Sequence, residues 1–215
     1  MNNDAELTIL IDDTGNSEEG FEESFGLCVL IKKSGKKILF DLGSEVNPLL
    51  NNLLVAGVSI NELDAIILSH NHFDHTGGLP GILPVNNDIP IYVHKYWDKK
   101  VRSMGSEIPV ENRVVIKEGR ELTELCPGIF ITDAGFSEDY GGIYEQACFI
   151  QGAKGLTLLC GCCHPGLNFF LEQTAKLGLG KLQNLHIMGG FHDFTFNENE
   201  SEILKPFTKK ITAFH

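Results

Sequence analysis

Basic residues are scarce in this chain. Its 215 residues carry 17 lysines and arginines against 29 aspartates and glutamates, a formal charge of −12. A nucleic-acid surface needs a basic patch to meet the phosphates, so this balance argues against such a partner and leaves room only for a local pocket for a small anion. Long apolar runs are missing as well. No stretch of 18 apolar residues exists, which excludes a membrane-spanning helix. The N-terminal MNNDAELTILIDD lacks a basic n-region, and its apolar run is five residues long even with Thr8 counted, so it does not read as a secretory signal. The expected location is the cytoplasm. The six cysteines form no spaced disulfide framework, and three of them cluster at Cys160, Cys162 and Cys163, which fits a reducing compartment. Linker composition, low-complexity tracts and fixed-period repeats are absent too, which predicts one domain over residues 1–215.

What is present is an ordinary globular composition, 42% apolar and 21% charged, with 23 glycines to make tight turns. LTILI (7–11), LCVLI (27–31) and KILF (37–40) predict strands, and Ser34-Gly35 marks a hairpin between the last two. The acidic stretch from Asp12 to Ser24 predicts a loop. NPLLNNLLVAGV (47–58) spaces Leu49, Leu50, Leu53 and Leu54 as on a helix, with Pro48 in its first turn and Gly57 at its stop. AIILS (65–69) predicts a buried strand. Further strands are expected at PIYVH (90–94), RVVI (113–116), GIFIT (128–132), QACFI (146–150), LTLLC (156–160), NLHIM (184–188) and KITAF (210–214). GLNFFLEQTAKLG (166–178) has helical period, and ENESEILKPF predicts a short helix stopped at Pro206. Strand-rich halves closed by helices predict two face-to-face sheets with helices outside.

The chemistry concentrates in LSHNHFDHTGGLP (68–80), which holds three of the eight histidines. His70, His72, Asp74 and His75 fall within six positions directly after the predicted buried strand. Residues two apart on an extended segment point the same way, so His70 and His72 suit one metal ion. Asp74 and His75, past the bend, suit a second. General acid–base catalysis needs only one histidine, so four donors at this density favour metal.

SHNHFDH followed by TGGL resembles the HxHxDH signature of the metallo-β-lactamase superfamily. The resemblance implies an α/β, four-layer αββα sandwich holding one or two metal ions, usually zinc, at the edge of its sheets. Asp41 in ILFDLG matches an aspartate that orients a ligand imidazole, although alone it would be a strand-ending turn. His164 in LLCGCCHPG matches the lone histidine of a later motif. By that resemblance His70, His72 and His164 hold one metal. Asp74 and His75 hold the other, completed by His192 in IMGGFHDF or by His215. GCCHPGL and MGGFH further resemble the branch named for dihydropterin-methyl-aminobenzene-ribofuranosyl-phosphate synthase, whose motifs run GCSHAG, GGFH and HCTG. Members of that branch continue for some tens of residues beyond the last histidine, whereas this sequence ends at His215. An early end to the gene model, or a UGA recoded as selenocysteine, would each produce that difference. The fourth motif of the superfamily usually supplies a bridging aspartate. Here it reads Gly189-Gly190-Phe191-His192-Asp193.

The resemblance implies a hydrolase that uses a metal-bound hydroxide on a small substrate, with or without a phosphoryl group, with Asp74 as ligand and catalytic group. Zinc is expected before iron, because His72 stands where diiron relatives carry glutamate, and manganese stays open. β-Lactam hydrolysis is not expected. Two alternatives remain: a pterin-type condensing transferase, and a metal-binding protein without catalysis. A homodimer is the base-rate expectation. Cys160, Cys162 and Cys163 are either a separate soft-metal or redox site with His164 or, the favoured view, small packing residues of a tight turn. His94 and His186 are expected as core-edge histidines. The acidic loop is expected to be a solvated face, with Asp12 or Asp13 within reach of the metals.

Overall fold

The apolar runs become strands whose two faces feed different cores. A computed structural model of the protein describes residues 4–14, 18–178, 184–191, 204, 205 and 208–215. The first sheet consists of β1 (Glu6–Ile11), β2 (Cys28–Lys33), β3 (Lys36–Phe40), β4 (Ala65–Ile67), β5 (Ile91–Val93) and β6 (Arg113–Val115), paired in that order. Next come β7 (Thr123–Cys126) and β8 (Ile129–Ile131), then a separate hairpin of β9 (Gly135–Ser137) and β10 (Ile143–Glu145). With β11 (Cys148–Gly152), β12 (Gly155–Cys160), β13 (Leu185–Gly190) and β14 (Thr208–Phe214), they form a second sheet ordered β14-β13-β12-β11-β8-β7.

Side chains alternate across a strand, and here both faces are apolar. On β2, Val29 and Ile31 enter the core between the sheets, while Cys28 and Leu30 enter the outer core. On β11, Cys148 and Ile150 point inward and Phe149 outward. The outer face of the first sheet is covered by Leu49 and Leu53 of α1 (Val46–Val55), with Leu79 and Ile82 beyond it. Leu54 of α1 stays 77% exposed, because the covering face centres on Leu49 and Leu53. Between β4 and β5 lie α2 (Phe73–Thr76) and α3 (Leu79–Ile82). The second sheet is covered by Leu167, Phe170 and Leu171 of α4 (Leu167–Glu172). Three cores separating four layers make an αββα sandwich. Among the described residues no helix is long and apolar enough to cross a membrane.

Most expected elements form. Ser34 and Gly35 both take positive φ (53° and 77°), the geometry of a tight two-residue hairpin turn. The helix expected over 166–178 is shorter: α4 ends at Glu172 and a tighter 3-10 turn runs from Gln173 to Leu177. Apart from Leu204 and Lys205, the helix expected in ENESEILKPF lies outside the described residues.

β3, β4 and β5 run parallel, as do β12, β13 and β14, so their carboxyl ends gather along one edge. Asp41, Ser69 and His94 follow the first three strands, and Gly161 and His215 follow β12 and β14. Gln146 ties the sheets beneath that edge. Its backbone N–H donates to Ser69 O at 2.9 Å, and its side-chain amide donates to Leu68 O (2.9 Å) and Tyr92 O (3.1 Å).

Gly26 lets the loop before β2 pass against Asp74. Its φ is +101°, and a Cβ there would lie 1.9 Å from the Asp74 carbonyl oxygen. Both the backbone angle and the contact exclude a side chain. Gly26→Ala should therefore destabilise the protein by about 2 kcal/mol or more, read from urea unfolding.

Candidate metal centre

Two buried carboxylates anchor the site. Asp41 follows β3 with φ +55°, an unusual angle for a non-glycine residue, and is fully buried. The Ser69 N–H donates to its Oδ1 at 2.7 Å, and the Ser69 hydroxyl donates to its Oδ2 at 2.7 Å. The same Oδ2 lies 2.7 Å from His75 Nδ1. Glu145, at the end of β10, does the equivalent for the opposite sheet. Its Oε1 accepts the N–H groups of Gly161, Cys162 and Cys163, each at 3.0 Å, and its Oε2 accepts that of His164 at 2.7 Å. One carboxylate thus shapes the whole turn that carries Cys162 and His164.

The histidines share a pattern. Ser69 Oγ lies 2.8 Å from His70 Nδ1, and Asp41 meets His75 Nδ1 as above. Asp139 Oδ2 lies 3.2 Å from His164 Nδ1, and Asp13 Oδ1 lies 3.0 Å from His215 Nδ1. Each outer ring nitrogen is held by an oxygen, which orients the imidazole and leaves Nε2 for another contact. His75 Nε2 lies 3.2 Å from Cys162 Sγ, and His215 Nε2 lies 3.0 Å from Asp74 Oδ2. His72 differs: its Nδ1 is 3.2 Å from His70 Nε2, and its buried Nε2 has no hydrogen-bond partner among the described residues.

The fold therefore brings His70, His72 and His164 together, with ring centroids 4.7 to 5.6 Å apart. It brings Asp74, His75 and His215 together beside them. His192 lies outside the described residues. Donor atoms of His70, Cys162 and His164 lie within 4.8 Å of one another, and so do those of His75, Cys162 and His215. Both sets match the nitrogen and sulfur chemistry of a divalent-ion site. Cys162 was not singled out as a ligand by its sequence, where it sits among two other cysteines. The structure separates them: Cys160 and Cys163 pack into the outer core under α4, while Cys162 faces the histidines. The positive φ of Cys163, 62°, turns the chain there. The acidic loop is likewise more than a solvated face, since Asp12 Oδ1 accepts the His215 N–H at 3.1 Å and Asp13 meets its ring.

The electrostatics follow this geometry. Burial holds His70 well below the usual imidazole range and His72 down to about 4, so both rings are neutral, the form that ligates. Burial pushes the Cys162 thiol up, but His75 and His70 beside it and hydrogen bonds from His164 and His215 bring it well below its ordinary range. Burial also opposes charge on His164, yet the Cys162 sulfur and Glu145 lift it to about 9. His215 is lifted to about 10 against burial, chiefly by Asp74.

Glu145→Gln keeps the shape but replaces one acceptor oxygen with an amide that faces a backbone N–H. Metal affinity should fall about 10- to 100-fold, measured by competition with a chromophoric chelator, and the melting temperature should fall with it.

A family model for the Metallo-beta-lactamase superfamily matches residues 22–146. The chain is 30% identical over 226 aligned positions to the 7,8-dihydropterin-6-methyl-4-(beta-D-ribofuranosyl)-aminobenzene-5'-phosphate synthase of Methanocaldococcus jannaschii, covering 85% of this chain and 76% of that protein. It is 26% identical over 130 positions to a ribonuclease Z of Halalkalibacterium halodurans, covering 57% of this chain and 40% of that protein. Among solved structures, Tm1679, a metal-dependent hydrolase of the beta-lactamase superfamily, superposes with a TM-score of 0.71 at 23% identity, over 97% of this chain and 87% of that one. Sequence and fold agree: the chain belongs to the metallo-beta-lactamase superfamily.

Proposed function

We propose that the protein is a metal-dependent hydrolase acting at a two-ion, zinc-preferring centre on a small substrate with an ester or phosphoester group. The observation that carries this is the set of four imidazoles whose Nδ1 atoms are held by Ser69, Asp41, Asp139 and Asp13 around Cys162 and Asp74. Divalent ions held there would supply Lewis acidity and acidify water.

The chain's own residues do the rest. Asp74 is held well below the usual carboxylate range: burial opposes ionisation, but the hydrogen bond from His215 and the charge of His75 outweigh it. It therefore stays an acceptor, able to orient a proton-bearing nucleophile at the floor of the site. Above it opens a cavity of about 90 Å³, floored by Asp74, Cys162 and His164 and rimmed by Phe25, Phe73 and Tyr140. Drug-sized ligand pockets run from about 300 Å³ upward. Only the reacting group of a substrate enters here, and the remainder lies across the rim, where the three aromatic rings are 37 to 44% exposed. Tyr140 sits at the tip of the β9–β10 hairpin with φ +53°, and its ring packs 5.0 Å from His72 and 5.6 Å from His164.

A second view has support in the similarity to the archaeal synthase: the same centre would activate a leaving group for condensation rather than hydrolysis. The two separate by experiment. Protein reconstituted with zinc, manganese or iron should hydrolyse bis(p-nitrophenyl) phosphate or p-nitrophenyl esters, with the strongest activity on zinc. Chelation should abolish that turnover and readdition restore it. Asp74→Asn should lower kcat by about 10² or more while the protein stays folded. Metal-loaded protein that turns over none of these esters, yet forms a carbon–nitrogen bond between a dihydropterin-6-methyl diphosphate and an arylamine, releasing diphosphate and a proton, would favour the condensing enzyme. Absence of both activities would favour a metal-binding protein.

A further inference from the structure

We propose that Cys162 is a ligand shared by both halves of the metal centre, a thiolate bridge beside the carboxyl end of β13, whose own residues Leu185–Gly190 carry no carboxylate. The inference rests on the metal centre proposed above and specifies its middle. Cys162 Sγ belongs to both donor groups, to His70 and His164 on one side and to His75 and His215 on the other. No other described residue belongs to both. His75 Nε2 lies 3.2 Å from this sulfur.

The neighbouring strand end adds no donor of its own among the described residues. β13 finishes in Gly189-Gly190, which carry no side chains to reach the site. A Cβ on Gly190 would meet Gly161 O at 2.4 Å and His215 Cδ2 at 3.4 Å, so this position is filled by the turn and the histidine that flank it. Phe191, the next residue, is buried in the outer core. Asp74 lies on one side of the centre, 3.0 Å from His215 and 3.5 Å from His75.

The placement of the sulfur is built, not incidental. Glu145 fixes three consecutive N–H groups of the turn and that of His164, so Cys162 and His164 are set as one unit. Cys162 is 5% exposed and close to no other cysteine pairing that would explain its position, since all six cysteines are free. A thiolate in the middle makes the centre softer than one bridged by carboxylate. It selects zinc or cobalt over manganese and magnesium.

The test is cobalt titration of the metal-free full chain, followed in the near ultraviolet, where thiolate-to-cobalt charge transfer absorbs. The expected result is a band that grows through both the first and second equivalents of cobalt. Cys162→Ser should abolish the band and weaken binding of at least one ion about tenfold or more, whereas Cys163→Ser should keep the band. Cys162→Asp should bind two ions without the band and gain in manganese affinity relative to cobalt; it also serves if the serine variant folds poorly. Two cobalt ions bound without any band would overturn the bridge and leave the metal centre standing. A band complete at one equivalent, with a second ion bound silently, would make Cys162 a ligand to one ion only and also overturn it. No cobalt bound at all would remove the metal centre and the bridge together.

Discussion

A carboxylate without water must find every hydrogen bond it needs inside the protein. Two such groups organise this molecule. Asp41, fully buried at the end of β3, collects the backbone and hydroxyl of Ser69 and the ring of His75. Through Ser69 it also sets His70. Glu145, equally buried, collects four backbone donors of the turn after β12. Each would be costly to bury alone. Each becomes tolerable because the chain is bent around it, and the bend places donors at the seam between the sheets. Removing either partner would leave a buried charge or several buried N–H groups unsatisfied, so the placement of the donor side chains and the stability of the edge are coupled.

Much of the sandwich was legible in the order of apolar runs, because strands buried on both faces show as continuous Val, Ile and Leu. The histidine cluster was legible for a different reason: dense donors directly after a buried strand have few other uses. His70, His72, Asp74, His75, His164 and His215 are indeed brought to one place. The β9–β10 hairpin escaped because GFSEDYGGIYE has neither an apolar run nor clean alternation. Glu145 escaped because its partners are backbone groups 16 to 19 residues onward, which no side-chain pattern reports. Cys162 was hidden by company: three near-adjacent cysteines look alike in a string, and only the turn geometry separates a position facing the histidines from two packing positions.

His215 shows how distant segments are recruited. Its ring is pinned between Asp13, from the loop after β1, and Asp74, from the histidine segment, and its backbone N–H is taken by Asp12. Phe25 adds an edge-on aromatic contact at 4.8 Å. The acidic loop that dominates the N-terminal charge thus works locally, drawing the residue that follows the last strand toward the other histidines.

The β9–β10 hairpin pairs with neither large sheet. It nevertheless carries Asp139 against His164, Tyr140 over the mouth and Glu145 at its root. Such an element is modular. Its tip can change its aromatic residue without unzipping a strand from either sheet, so long as Asp139 and the root carboxylate remain. The aromatic cover at the mouth is thus separable from the two carboxylates, Asp139 and Glu145, by which the same hairpin holds the donor set beneath.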